Sequence, residues 1–396
     1  MATDRLARGA AVFTVAVLLG GLPACPVSAD QIRDKQWALR IYEAESKLWP
    51  DSQGEGVVVA VVDSGVRQDH QDLSGQVLSG ADFSGAQTDG REDVDGHGTG
   101  IASLIAGHGH GARAGVIGLA PKAKILPVRI RWNGERQDLQ QSDVGLAVRF
   151  AVDHGARVVN LSIGGYSRSD TQARDAINYA IARDVVVVAS TGNDGDKGAA
   201  VDYPAAIPGV VAVGAVGEQT ELWERSTYGP EITLVAAGAG TYQATAKSES
   251  SYGVGNGTSG ATAYVSATAA LIRAKYPNLS AGQVINRMIK SATPPTGGGA
   301  VPNDRYGYGL LAPAKALEPN AAVDGGAREN PLLGRAESQG SPPVVSEEPW
   351  EEPVAGQGGG GNAGVAYTVT GAAGLVVAGG AVGAVLVVRG RRRRLG

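Results

Sequence analysis

Gly56-Val57-Val58-Val59-Ala60-Val61-Val62-Asp63-Ser64-Gly65 decides how this chain folds. From Val57 to Val62 no polar residue interrupts the apolar run. A strand with one wet face alternates apolar and polar side chains. An unbroken β-branched run belongs to a strand buried on both faces, the mark of a parallel sheet covered by helices. Ile125 to Ile130, Val158 to Ile163, Val185 to Ala189 and Val210 to Val213 repeat the pattern. Helical periodicity lies between them. Ser142 is placed to cap a helix whose apolar face is Val144, Ala147, Val148, Ala151 and Val152, at i, i+3, i+4, i+7 and i+8. Ala173 to Ala182 and Ser280 to Ile289 read likewise. The expected class is α/β, with a mainly parallel sheet between two helix layers.

Working outward, both ends carry addresses. Arg5 and Arg8 precede an apolar run from Ala10 to Leu22, and Val27-Ser28-Ala29 is a small-x-small cleavage signature. Residues 1–29 are therefore expected to be a signal peptide, with an uncleaved anchor as the alternative. Cys25 is the single cysteine and would leave with that peptide, so the exported domain is expected to lack disulfides. At the other end, Val365 to Val388 is a stretch of 24 residues without a charge. As a helix it would extend about 36 Å, enough to cross a bilayer core. Arg389 and Arg391 to Arg394 follow at once, predicting a single C-terminal transmembrane helix (365–388) with residues 389–396 as a cytoplasmic tail. The remaining boundaries are a polar lead segment at 30–55, too short for an independent pro-domain, a globular domain at 56–317, and a Pro/Gly/Glu-rich linker at 318–364. A net charge of −4 offers no reason to expect nucleic acid as a partner.

Open parallel sheets bind ligands beyond the carboxyl ends of their strands, so polar residues there repay inspection. Asp63 ends the opening run; in isolation it also reads as a strand-end cap. His97, in Asp95-Gly96-His97-Gly98-Thr99-Gly100, sits at a glycine-flanked helix start. Asn193 lies in Ala189-Ser190-Thr191-Gly192-Asn193-Asp194, past a strand end, as a turn residue or as an amide donor to an oxyanion. Ser259, in Gly257-Thr258-Ser259-Gly260, opens a helix that is small or apolar nearly all round from Ala261 to Leu271, and by itself reads as a helix cap. His70, His108, His110 and His154 lie in polar or glycine-rich turns and are expected to be exposed, with His108-Gly109-His110 too poor in ligands for a metal site. Asp72 is expected to be solvated, and no metal site is assigned.

Taken together, these supply an acid, an imidazole, an amide and a hydroxyl in the order Asp63, His97, Asn193, Ser259. An α/β-hydrolase elbow requires glycine at position 261, which is alanine, and a histidine after the serine, which is absent. The chain resembles the subtilisin-type serine proteases, through Val61-Val62-Asp63-Ser64-Gly65, Gly96-His97-Gly98-Thr99, Gly257-Thr258-Ser259, Ser162-Ile163-Gly164-Gly165, Tyr203-Pro204-Ala205 and Gly307-Tyr308-Gly309-Leu310-Leu311. The resemblance spans about Gly56 to Leu317. It implies the subtilisin-like three-layer fold and a triad of Asp63, His97 and Ser259, with Asn193 in the oxyanion hole. It also implies pocket walls at Ser162, Ile163, Gly164 and at Ser190, Thr191, Gly192, protein or peptide substrates, and no cofactor for the chemistry. Relatives often bind structural calcium, and Asp72 stands at a plausible position for it, but no full ligand set is assignable here.

Two departures from that family stand on the serine's own helix. Gly260 replaces a larger residue and Ala263 replaces a proline, which puts the local geometry in question. The large inhibitory pro-domain of the family has no counterpart between Ala29 and the first strand. The whole layout is similar to that of the mycosins, membrane-anchored subtilisin-like proteases of type VII secretion in actinobacteria. That resemblance implies an extracytoplasmic catalytic domain held at the cell membrane beside a secretion complex. It leaves two other roles open: a structural subunit of that complex, and a general degradative protease at the cell surface.

Overall fold

The computed structural model describes residues 32–131, 142–297 and 299–335. The signal peptide, most of the linker, the transmembrane run and the arginine-rich tail lie outside the described residues. Among those described, no helix is long and apolar enough to cross a membrane.

Seven parallel strands form one sheet: β1 (Val58–Asp63), β2 (Ala81–Asp82), β3 (Lys124–Arg129), β4 (Val158–Leu161), β5 (Val186–Ser190), β6 (Val211–Val216) and β7 (Ile232–Ala237). Their order in space is β2-β3-β1-β4-β5-β6-β7. The unbroken apolar runs now have their physical cause. In β1, Val59 and Val61 enter the core on one face while Ala60 and Val62 enter the core on the other. β5 divides in the same way, Val186 and Val188 against Val187 and Ala189.

Helices α1 (His97–Ala106), α4 (Thr258–Lys275) and α5 (Ala281–Ser291) cover the first face. Helices α2 (Asp143–Asp153) and α3 (Thr171–Ala182) cover the second. Ser142 caps α2 as expected, its hydroxyl accepting the Gly145 N–H at 3.0 Å. Ser280 and Gln283 form a reciprocal capping box at the start of α5.

The subtilisin-like, mainly parallel α/β fold is therefore present, and two strands join those anticipated. β2 is only two residues long, too brief to show a pattern, and β7 follows the polar turn around Gly229-Pro230-Glu231. The segment Gly307 to Leu311 runs beside β7, with the Leu311 N–H donating to the Val235 carbonyl at 2.9 Å.

The lead segment is part of the domain. Trp37, Ala38, Leu39, Tyr42, Ala44 and Leu48 belong to the same apolar core as α1 and α4. Trp37 donates its indole N–H to the Gly240 carbonyl at 3.1 Å, and the Ala237 N–H donates to the Tyr42 hydroxyl at 2.8 Å. Packing also continues beyond Leu317, where a linker was expected to begin. Leu332 is buried in the main core, and the Arg335 guanidinium donates to the Ala205 and Ile207 carbonyls, each at 3.0 Å. Composition alone hides this, because a few anchors in a polar stretch dock it: buried Val323 and Leu332, Asp324 bonded to Arg287, and Arg335.

Candidate active site

Strand order reverses between β1 and β4, since the chain leaves β1 for β3 on one side and returns to β4 on the other. Loops diverge at such a point and leave a crevice at the strand ends. Asp63 closes β1, Ser162 follows β4 directly, and Ser190 ends β5.

Asp63 is fully buried, and its carboxylate faces the His97 imidazole, with Nδ1 2.8 Å from Oδ1 and 3.0 Å from Oδ2. Glycine makes that approach feasible: a Cβ on Gly98 would lie 2.0 Å from the Gly65 carbonyl oxygen and 3.1 Å from the Asp63 Cβ. Burial raises the Asp63 pKa while the facing His97 draws it back. Burial also disfavours the His97 imidazolium, but Asp63, supported by Asp95 and Asp93, outweighs it and holds the pKa above the usual imidazole value.

The start of α1 is held by a residue that motif reading passed over. Asp93 Oδ1 accepts the Gly96 N–H at 2.9 Å and the Ser64 hydroxyl at 2.8 Å. Its Oδ2 accepts the Thr99 N–H at 2.8 Å and the Thr99 hydroxyl at 2.6 Å. Ser64 in turn receives the Gly98 N–H at 3.0 Å. One carboxylate thus pins the loop carrying His97 to the end of the strand carrying Asp63. The available signal was an aspartate three residues before Gly96, where an orphan helix-start N–H needs an acceptor.

Ser259 is the second residue of α4, so its N–H is among the helix-start donors without an intrahelical partner. It is not the cap; Gly257 holds that position. The Asn193 side chain is oriented from the same turn. Its Oδ1 accepts the Thr258 N–H and the Thr258 hydroxyl, each at 3.0 Å, which turns Nδ2 away as a donor. A Cβ on Gly257 would stand 3.2 Å from that Nδ2. Neither departure disturbs the helix: α4 runs unbroken through Ala263, and a Cβ on Gly260 would meet the Thr241 hydroxyl at 3.3 Å.

The two segments expected to wall the pocket lie beside this turn. The Ser162 hydroxyl donates to the Ser259 carbonyl at 3.0 Å and is itself held by the Asn160 amide at 2.9 Å. The Ser266 hydroxyl, a buried group on α4, donates to Asn160 Oδ1 at 2.9 Å. Ser190 joins the walls, its hydroxyl donating to the Ile163 carbonyl at 3.1 Å. Thr191 is buried, with its hydroxyl 2.8 Å from the Thr227 carbonyl. Gly164 and Gly192 lie in the same two segments.

The remaining histidines correct part of the reading. His70, expected at the surface, is fully buried, with Nε2 3.0 Å from the Ser251 carbonyl. Asp72 is buried rather than solvated. It accepts the Val116 N–H at 2.7 Å and faces His110 Nδ1 at 2.7 Å. His108 is half-buried in a short strand, with Nε2 3.0 Å from the Ser74 carbonyl. The polar sequence around these residues disguises a carboxylate-centred network that closes a loop. His154 is exposed as expected and stacks on Phe150.

The subtilase family model matches residues 54–309. Subtilisin DY of Bacillus licheniformis is 35% identical over 243 residues, covering 61% of this chain and 85% of the relative. The crystal structure of MycP1 from Mycobacterium smegmatis superposes with a TM-score of 0.66 at 26% identity, covering 79% of this chain and 91% of that one. The MycP3 protease of the type VII (ESX-3) secretion system gives a TM-score of 0.61 at 30% identity, over 76% of this chain and 91% of the other.

Proposed function

This chain belongs to the subtilase family and is a serine endopeptidase; from that premise we propose that it is a membrane-anchored processing enzyme of a type VII secretion system. The observation that carries the chemistry is the buried Asp63 carboxylate bonded to His97 Nδ1 at 2.8 Å. With Nδ1 engaged, the other ring nitrogen is the basic one. Ser259 Oγ attacks the scissile carbonyl carbon while His97 takes its proton. Charge on the carbonyl oxygen is met by Asn193 Nδ2 and the Ser259 N–H. His97 then protonates the departing amine, leaving an acyl-enzyme. A water, deprotonated by His97, releases the acid and restores Ser259. Extended substrate pairs beside Ser162, Ile163 and Gly164, with the side chain before the cut between that wall and Ser190, Thr191 and Gly192.

The secretion role is supported by the MycP1 and MycP3 likenesses, one of those proteins being described as an essential component of the type VII (ESX-1) system. Anchoring at the cell membrane, with the catalytic domain extracytoplasmic, is supported by the uncharged run Val365 to Val388 and the arginines after it.

A fluorophosphonate probe should label the wild type and not Ser259→Ala. Comparing protein termini in membrane fractions from both strains identifies the substrate. Absence of labelling in folded wild type overturns the peptidase mechanism. Secretion that survives Ser259→Ala but fails on deletion makes the complex, rather than cleavage, the essential role. Loss of many unrelated cleavages in Ser259→Ala points instead to general degradation.

A further inference from the structure

We infer that Asp202 sets the residue preference of this peptidase, selecting lysine or arginine immediately before the scissile bond. The inference rests on the peptidase reading above and concerns its specificity.

Asp202 lies between the two walls. An ideal Cβ on Gly164 would sit 2.4 Å from Asp202 Oδ2, and one on Gly192 would sit 2.6 Å from the same oxygen. A single carboxylate oxygen therefore occupies the space toward which both glycines would point a side chain. Its position is rigid: the Asp202 N–H donates to the Thr191 carbonyl at 3.0 Å, and the Ala206 N–H donates to the Asp202 carbonyl at 2.9 Å. The walls are joined by the Ser190 to Ile163 hydrogen bond. A side chain entering between them meets a carboxylate at its end.

Among the described residues, no lysine, arginine or histidine forms an ion pair with that carboxylate. It accepts a backbone N–H from Gly165, and the charge that acts on it is another carboxylate, Asp194. Asp194 is engaged with Lys197 at 2.9 Å. Burial, then Asp194, pushes the Asp202 carboxyl up to about 7, while Gly165 pulls it down. A half-buried carboxylate without a counter-charge is costly, and a cationic substrate side chain removes that cost on binding. Apolar substrates leave it in place.

The test uses the full chain in detergent and peptides identical except for lysine, arginine, leucine or alanine before the cut. For the wild type at pH 8, kcat/KM for lysine or arginine should exceed that for leucine by tenfold or more. Asp202→Asn should reduce that ratio about ten- to a hundredfold, the range for losing a hydrogen bond to a charged group. Fluorophosphonate labelling of the variant reports that it is folded and competent. The wild-type lysine-to-leucine ratio should also rise as pH increases through about 7, as Asp202 ionises. His97 serves both substrates and cancels in the ratio. Normal labelling with leucine or alanine preferred, or an Asp202→Asn ratio equal to the wild type, overturns the inference alone. Failure of the wild type to label removes the peptidase reading and this inference together.

Discussion

Ser162 and Ser259 are bonded to each other twice: the Ser162 hydroxyl donates to the Ser259 carbonyl at 3.0 Å, and the Ser259 hydroxyl donates to the Ser162 carbonyl at 3.2 Å. The helix of the proposed nucleophile and the proposed substrate wall are therefore held together as one unit. Behind them, Asn160 and Ser266 continue the chain of bonds into the core.

Ser162→Ala breaks that unit at its middle. It leaves the Asn160 amide without its acceptor in a buried setting, which costs about 1–3 kcal/mol. Denaturant unfolding should show that loss. Fluorophosphonate labelling should slow, because Ser259 is no longer held from the wall. An unchanged labelling rate would mean that α4 is positioned by its core packing alone.

Asp63→Asn removes the charge facing His97. By the triad mechanism kcat should fall about 10⁴-fold, through loss of the correct tautomer and of imidazolium stabilisation. The residual activity has a diagnostic pH profile. Asp63 is what lifts the His97 pKa against burial, and the general base works only when neutral. Wild-type kcat/KM should therefore fall as pH drops through a value above the usual ~6.5 of imidazole. In the variant this acid limb should move to lower pH.

Asn193→Ala separates transition-state stabilisation from substrate binding. Removing one oxyanion donor lowers kcat about 10²- to 10³-fold with little change in KM. Because Oδ1 also receives two bonds from Thr258, about 1 kcal/mol of stability should be lost as well, visible as a lower Tm.

Asp93→Ala tests whether the His97 loop is held from outside the triad. Five donors converge on that carboxylate from Ser64, Asp95, Gly96 and Thr99. Several buried donors would lose their acceptor, so a loss of about 2–3 kcal/mol is expected, together with a lower kcat. Asp93→Asn keeps acceptor capacity on one oxygen and should recover part of both.

Trp37→Ala addresses the lead segment. Truncating a buried tryptophan costs about 3–5 kcal/mol. Activity per folded molecule should not rise, since Trp37 is bonded to Ala239 and Gly240 as part of the domain's packing. A rise in kcat on truncation would instead identify the segment as an inhibitor.

Much of this was legible in the chain itself. The apolar runs of β1 and β5 announced a sheet buried on both faces, because only such a sheet dispenses with polar alternation. Asp63, His97, Asn193 and Ser259 each had an ordinary reading in local context as a cap or turn residue; their chain order and the motifs around them made them legible together. What only the tertiary structure decided concerns partners distant in sequence. Asp93 reaches back to Ser64, Asp72 across to His110 and Val116, and Asp202 into the space between Gly164 and Gly192. An aspartate in a polar loop has the same local pattern whether it is solvated or buried. Its environment is set by which strand ends the crossover connections bring together, and short-range sequence pattern does not encode that.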